Sequence, residues 1–193
     1  MVKKLRVLLV VILVLAVVGL WWIKTSGGFS AREQPTWLES TLARSARGMA
    51  IPAEAKEKKN PVALTPELMT EARRHFADHC SSCHANDGSG NTEMGRNLYP
   101  KAPDMRQVPT QSLSDGEIYF IIHNGIRLSG MPAWGFPSGS DNDSWALVHF
   151  IRRLPSLSAD ELKDMEQFNP HSPMEMNEQK EEEDFLNGKT EKK

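Results

Sequence analysis

Cysteine is almost absent from this chain. There are two in 193 residues, and both fall in one pentapeptide. No thiol is left over once that stretch is explained. A dominant charge is also missing. Charged residues make up 25% of the chain and the formal net charge is -2, which is not the basic profile of a nucleic-acid binder. No internal repeat and no alternating strand pattern is present, and no βαβ pattern neighbours the cysteines. Much of the apolar content sits at the N-terminus. The remainder is lean in apolar residues, so a large cofactor would help to complete its core. The length suits one modest domain with extensions.

The pentapeptide is Cys80-Ser81-Ser82-Cys83-His84. Two cysteines three apart, with histidine directly after the second, form the attachment signature for c-type haem. A turn of helix carries both thiols and the imidazole to one face of a porphyrin. The thiols would add across its vinyl groups and the imidazole would ligate its iron. A thioredoxin-type dithiol is the first rival, but it leaves His84 without a role. Zinc is the second, because His75, His79, Cys80, Cys83 and His84 crowd together. A structural zinc site usually gathers four ligands, often from two clusters, and no second cluster is evident. His75 and His79 are expected on the outer face of the helix entering the motif.

Val7 to Ile23 is an apolar run of about 17 residues, the short end of a membrane-spanning helix. Lys3, Lys4 and Arg6 precede it, and Trp21 and Trp22 close it. Positive residues stay in the cytoplasm and tryptophans settle at the interface. This predicts a single-pass anchor over residues 1–23 with everything after it on the far side. A cleaved signal peptide is the alternative, and either outcome exports the haem motif.

Residues 24–63 read as a connector. Within it Pro35–Gly48 forms a short strap helix capped by Thr36. Trp37, Leu38 and Leu42 are expected to pack this helix against the following domain, because tryptophan is costly to leave in water. A helix opens at Thr65-Pro66-Glu67 and runs through Leu68, Ala72 and Phe76 into the motif. Loops follow over Asn86–Asn91 and Arg96–Pro109. Ser114 opens a helix ending at Gly125. Gly130-Met131-Pro132-Ala133-Trp134 lies in a loop, and Asp141–Ser144 caps a last amphipathic helix that ends before Pro155. Residues 158–193 give one more short helix and then, from Pro170, a charged tail expected to be disordered.

In this order of features, residues 64–157 resemble a class I c-type cytochrome domain. The resemblance rests on the haem motif ending the first helix, the downstream Gly-Met-Pro loop and the closing amphipathic helix. It implies an all-α, cytochrome c-like fold around one covalently attached haem c. It also implies attachment through Cys80 and Cys83, with His84 and Met131 as the two iron ligands. Pro103 resembles the family proline whose carbonyl orients the ligand histidine, with Pro100 a rival. Trp134 resembles an aromatic at the haem edge. Ala72, Phe76 and Phe150 match a close crossing of the first and last helices.

Met131 also has a case of its own. It lies between helices, flanked by Gly130 and Pro132, which fix a backbone without crowding a metal. Met94 and Met105 are too near the motif in sequence to reach its opposite face easily. The bis-histidine alternative would use His123 or His149, and His149 reads as a surface residue. Thioether and imidazole together leave no open iron position, and methionine raises the reduction potential. The expected function is electron transfer rather than enzymatic catalysis. The protein would be a carrier tethered to a bacterial inner membrane, its N-terminus cytoplasmic and its haem domain periplasmic. Its donor and acceptor would be unnamed redox proteins, with no nucleic acid involved. A relay subunit of a larger membrane oxidoreductase, or a haem sensor or peroxidase, are the other classes.

Overall fold

The structure, a computed structural model, describes residues 2–25, 30–135, 141–171 and 173–187. Among these residues all regular structure is helical. α1 (Val2–Thr25) is longer than the apolar run itself, at 24 residues. At 1.5 Å per residue it extends about 36 Å, more than the ~30 Å of a bilayer core. Its most apolar 18 residues have a mean hydropathy of 2.7 and none of the helix is buried against the rest of the chain, so it is long and apolar enough to cross a membrane.

α2 (Trp37–Ala50) begins with a capping box. The Thr36 hydroxyl accepts from the Glu39 N–H, and the Glu39 carboxylate accepts from the Thr36 N–H. The expected strap helix is therefore present, but its rotation corrects the expectation for its apolar edge. Trp37, Leu38 and Leu42 are 77%, 54% and 60% exposed. The contacts back to the domain are polar. Tyr99 Oη donates to Glu39 Oε1 at 3.0 Å, and Lys101 Nζ donates to the Ala31 carbonyl at 2.7 Å.

The tight attachment comes later. Ile51 is buried, as is Ala55 in α3 (Ala53–Glu57). α3 lies on the first turn of α8 (Asp115–Asn124), where Ser114 Oγ donates to the Lys56 carbonyl at 2.7 Å. Asn60 Nδ2 reaches the Trp145 carbonyl at 2.8 Å, and His149 Nε2 pairs with the Val62 carbonyl at 2.9 Å. The second half of the connector thus follows the domain surface, and His149 is half-buried rather than a free surface side chain.

α4 (Pro66–His75) is capped by Thr65, with proline in the first helical position. It packs along α9 (Asn142–Arg153). Ala72, Phe76 and Phe150 are 2%, 1% and 0% exposed. The two rings meet with centroids 4.9 Å apart and planes at 50°, close to the tilted geometry aromatic pairs prefer. The small Ala72 lets the helices approach. Ile118 and Ile122 from α8 complete this core, with Val148, Ile151 and Leu154 from the last helix and its end.

After α4 the chain makes a π-turn over Phe76–Cys80 and then α5 (Ser81–His84). Two short helices fall where only loop is expected, α6 (Glu93–Asn97) and α7 (Val108–Gln111). Each is about one turn and lacks the apolar period that would reveal it. α10 (Ala159–Glu166) follows a capping box at Ser158 and buries Met165. Arg73 Nη2 pairs with Asp164 at 2.9 Å, and Arg74 lies over the Phe168 ring. The tail corrects another expectation, since α11 (Pro173–Leu186) is helical where disorder is expected. Its run of Glu, Gln, Lys, Met and Leu is rich in good helix formers, though Phe185 and Leu186 remain exposed.

Candidate functional site

The motif stands at the end of a helix that changes pitch as it arrives. The π-turn over Phe76–Cys80 inserts a wider turn before the first thiol, and such bulges recur at functional sites. Ser81 Oγ donates to the Ala77 carbonyl at 2.6 Å, so this buried hydroxyl is satisfied within the helix. Ala85 then leaves the helix at φ 59°, a conformation uncommon for a residue with a side chain.

The following loop folds back beneath the motif. Gly90 N–H donates to the His84 carbonyl at 2.8 Å, and the Thr92 hydroxyl donates to the Cys83 carbonyl at 3.2 Å. Thr92 also caps α6 through the Gly95 N–H at 2.8 Å. Glycine is needed at 90, where φ is 71° and a Cβ would meet the Ala102 carbonyl. Further out, Arg106 ties the loops together. It forks onto Asp104 through Nε at 2.8 Å and Nη2 at 2.9 Å, and reaches Asp87 through Nη1 at 2.8 Å. Hydrogen bonding to Arg106 pulls the Asp104 carboxyl down to about 2. This network was not foreseen. Its only signal is the short Asp104-x-Arg106 spacing.

The chemistry of the donor set separates the readings of the motif. Burial, with the neighbouring Cys83 second, pushes the Cys80 thiol up to about 12. Burial also raises Cys83. A redox dithiol needs a lowered pKa to supply thiolate, so these thiols are set against that role. Zinc fares no better, since no group of three or more His, Cys, Asp or Glu able to hold a metal occurs among the described residues. His79 pairs with Asp78 at 3.2 Å on the exposed side of the helix.

Burial lowers the pKa of His84 and keeps its imidazole neutral, the form that ligates metal. Its Nδ1 is buried without a hydrogen-bond partner. The Pro103 and Pro100 carbonyls therefore do not accept from it in this structure, and both prolines are exposed. Two thiols and an imidazole on one short helical segment, with no further metal-binding cluster among the described residues, fit a covalently attached haem better than either rival.

Met131 lies half-buried in the loop after α8. That loop is held back on the helix end. Ile126 N–H donates to the Met131 carbonyl at 3.1 Å, Ser129 Oγ accepts from the Met131 N–H at 3.1 Å, and Trp134 N–H reaches the Ile122 carbonyl at 3.1 Å. Gly130 packs against Leu98, which brings the loop onto the segment after α6. Among the other methionines, Met105 and Met165 are buried in the core. Met94 Sδ sits 3.3 Å from Cys83 Sγ, beside a thiol of the motif. The histidine alternatives are engaged elsewhere, His149 with Val62 and His123 Nδ1 with Asp141 Oδ2 at 2.7 Å. Trp134 meets the His79 ring edge-on, with centroids 5.6 Å apart, at the edge of the core.

A known family and a known protein resemble the segment that carries the motif. Residues 67–151 match the family model for cytochrome C oxidase, cbb3-type, subunit III. The chain is also similar to the Cbb3-type cytochrome c oxidase subunit FixP of Rhizobium meliloti (strain 1021), with 33% identity over 90 residues. That match covers 46% of this chain and 28% of the relative. The matched segment is helical, carries the Cys80–His84 motif, and follows an N-terminal helix of membrane-spanning length.

Proposed function

We propose that this protein is a membrane-tethered, mono-haem c-type cytochrome that passes single electrons between redox proteins on the periplasmic side. The observation that carries the proposal is the placement of the motif. Cys80, Cys83 and His84 lie together where the helical segment ends, inside a stretch that matches a cytochrome family model. Cys80 and Cys83 would hold the haem covalently, with His84 and Met131 as ligands. When bound, haem supplies a one-electron couple. The chain's own residues do the rest. The π-turn presents the motif, the Gly90–Thr92 loop fixes its carbonyls, and the hydrogen bonds around Ile126 and Ser129 hold the Met131 backbone. Trp134 would screen one edge from water. Lys3, Lys4 and Arg6 favour a cytoplasmic N-terminus by the positive-inside rule.

Both matches carry the name of a subunit of a cbb3-type oxidase, and this favours a second reading. The domain would then be a relay fixed within a larger membrane oxidoreductase. The shared element is outer-sphere transfer through a haem with both axial positions filled.

The test is an optical spectrum of the protein purified in detergent, with a pyridine haemochrome. We expect one c-type haem per chain and little carbon monoxide binding by the ferrous form. Absence of a c-type haemochrome would overturn the proposal. Ready carbon monoxide binding would overturn the filled sixth position. Co-purification with other redox subunits would select the relay over the free carrier.

A further inference from the structure

The connector helix carries an apolar stripe that the domain does not use. Leu38, Leu42 and Met49 lie at i, i+4 and i+11, one line along α2, because eleven residues make about three turns. They are 54%, 60% and 80% exposed, and Trp37, at the helix N-terminus and about 120° round from this line, is 77% exposed. The opposite side holds the polar groups. Arg47 lies there half-buried, while Glu39, nearer the stripe and exposed, accepts from Tyr99. The helix is therefore amphipathic with its apolar face turned away from the protein.

We infer that α2 is an interfacial helix that lies flat on the membrane bearing α1, with Leu38, Leu42 and Met49 in the lipid headgroup region. Three observations select lipid as the occupant. First, the chain delivers the stripe to a bilayer. Eleven residues, Ser26 to Thr36, separate α2 from the spanning helix, and even fully extended they reach at most about 40 Å. Second, the charge is complementary. From Lys24 to Gly48 there are four cations, Lys24, Arg32, Arg44 and Arg47, against the two acids Glu33 and Glu39, and a net positive stretch beside a span is attracted to an anionic surface. Third, Trp37 stands 77% exposed at the end of α2 nearest the span, and tryptophan favours the headgroup level.

The consequence is a fixed height for the domain. With α2 on the surface, the bonds from Tyr99 and Lys101 to the connector hold the loop after the motif toward the bilayer. Exchange with a membrane-embedded partner would then need no long excursion. The inference rests on the spanning helix and the exposed stripe, not on haem.

The test uses the full chain reconstituted in vesicles of phosphatidylethanolamine and phosphatidylglycerol. Leu38→Cys, Leu42→Cys and Met49→Cys are spin-labelled singly, with Ser40→Cys and Arg44→Cys as the opposite face. The unsubstituted chain, labelled in parallel, gives the background from Cys80 and Cys83. Power saturation then compares oxygen, which partitions into lipid, with a water-soluble nickel chelate. For positions 38, 42 and 49 the oxygen-to-nickel accessibility ratio should exceed that at 40 and 44 by about threefold or more, as expected for a face set into the headgroup boundary. Equal, water-like ratios at all five positions would overturn the inference. So would labels at 38, 42 and 49 shielded from both reagents, which would mean a protein partner or a second copy covers the stripe.

Discussion

Replacing Gly116 with alanine should loosen the connector without touching the haem motif. Gly116 lies in the first turn of α8, against the backbone of α3. A Cβ there would run into the Ala55 carbonyl oxygen and come within 3.0 Å of Ala55 C and Lys58 O. Those are main-chain atoms, so no side chain can swing aside. Overpacking of this kind costs about 1–3 kcal/mol. With main chain as the obstacle the cost lies at about 2–2.5 kcal/mol of that range; alanine in place of glycine returns roughly 0.5–1 kcal/mol to a helix, which leaves about 1–2 kcal/mol of net destabilisation. At 1.4 kcal/mol per factor of ten, the detached form of α3 becomes about 5–30 times more populated. Limited trypsin digestion of the full chain in detergent reads this out, because Lys56, Lys58 and Lys59 lie on or beside α3. Where opening is fast relative to cutting, the cleavage rate follows the open population, so it should rise by the same factor. Gly48→Ala is the control, since nothing lies within 4 Å of its added Cβ, and it should leave cutting at α3 unchanged or slower. Unchanged cutting in Gly116→Ala would refute the docking of α3 on α8.

Serine at both Cys80 and Cys83 should abolish haem-linked peroxidase staining of the polypeptide after denaturing electrophoresis, and persistent stain would remove the basis of the proposed function. Met131→Ala should lower the reduction potential and admit carbon monoxide, because a thioether that favours ferrous iron is lost. The same spectral change in Met94→Ala, with none in Met131→Ala, would move the ligand to α6. Asp104 should contribute to acid stability with a definite sign. Its folded carboxyl sits at about 2 against an ordinary 3.8, so its stabilisation is complete above pH 3.8 and is lost as pH falls toward 2. Linkage puts the contribution at up to about 2 kcal/mol, and nearer 1 after solvent screening. The stability difference between the natural chain and Arg106→Gln, followed by denaturant titration, should therefore shrink between pH 4 and pH 2.

The parts of the fold that rest on local chemistry were legible in the sequence. Thr65-Pro66-Glu67, Ser114 and Ser158 announce helix starts through their own hydrogen bonds, and each start lies where those residues put it. Ala72, Phe76 and Phe150 were legible for another reason, since the first and last helices of the resembled domain cross at a small residue. The polar long-range contacts were not. Asn60 to Trp145, His149 to Val62 and Arg106 to Asp87 join residues whose partners no local pattern can name. The site divides in the same way. Cys80, Cys83 and His84 are adjacent in sequence and stay together in space, so their grouping needs no tertiary knowledge. Pro103 follows from the resemblance alone, since no local pattern in the sequence singles it out over Pro100.

The orientation of α2 shows what a sequence pattern leaves open. Exposed apolar side chains on a helix argue that something buries them, and the simplest candidate was the domain in the same chain. Fully burying Leu38, Leu42 and Met49 would be worth about 1.5–3 kcal/mol each. Yet the contacts that set the rotation of α2 are polar and solvent-exposed, including the Tyr99–Glu39 hydrogen bond. Bonds of that kind are weakened by water and salt. Against water alone they are a poor reason to hold three apolar side chains outward. Against a bilayer the balance reverses, because the stripe is buried in lipid while Glu39 and Arg47 face the protein. A hydrophobic period fixes which residues share a face, but not which medium that face meets. In this chain the medium follows from position, since the stripe begins a short reach after a helix able to span the membrane.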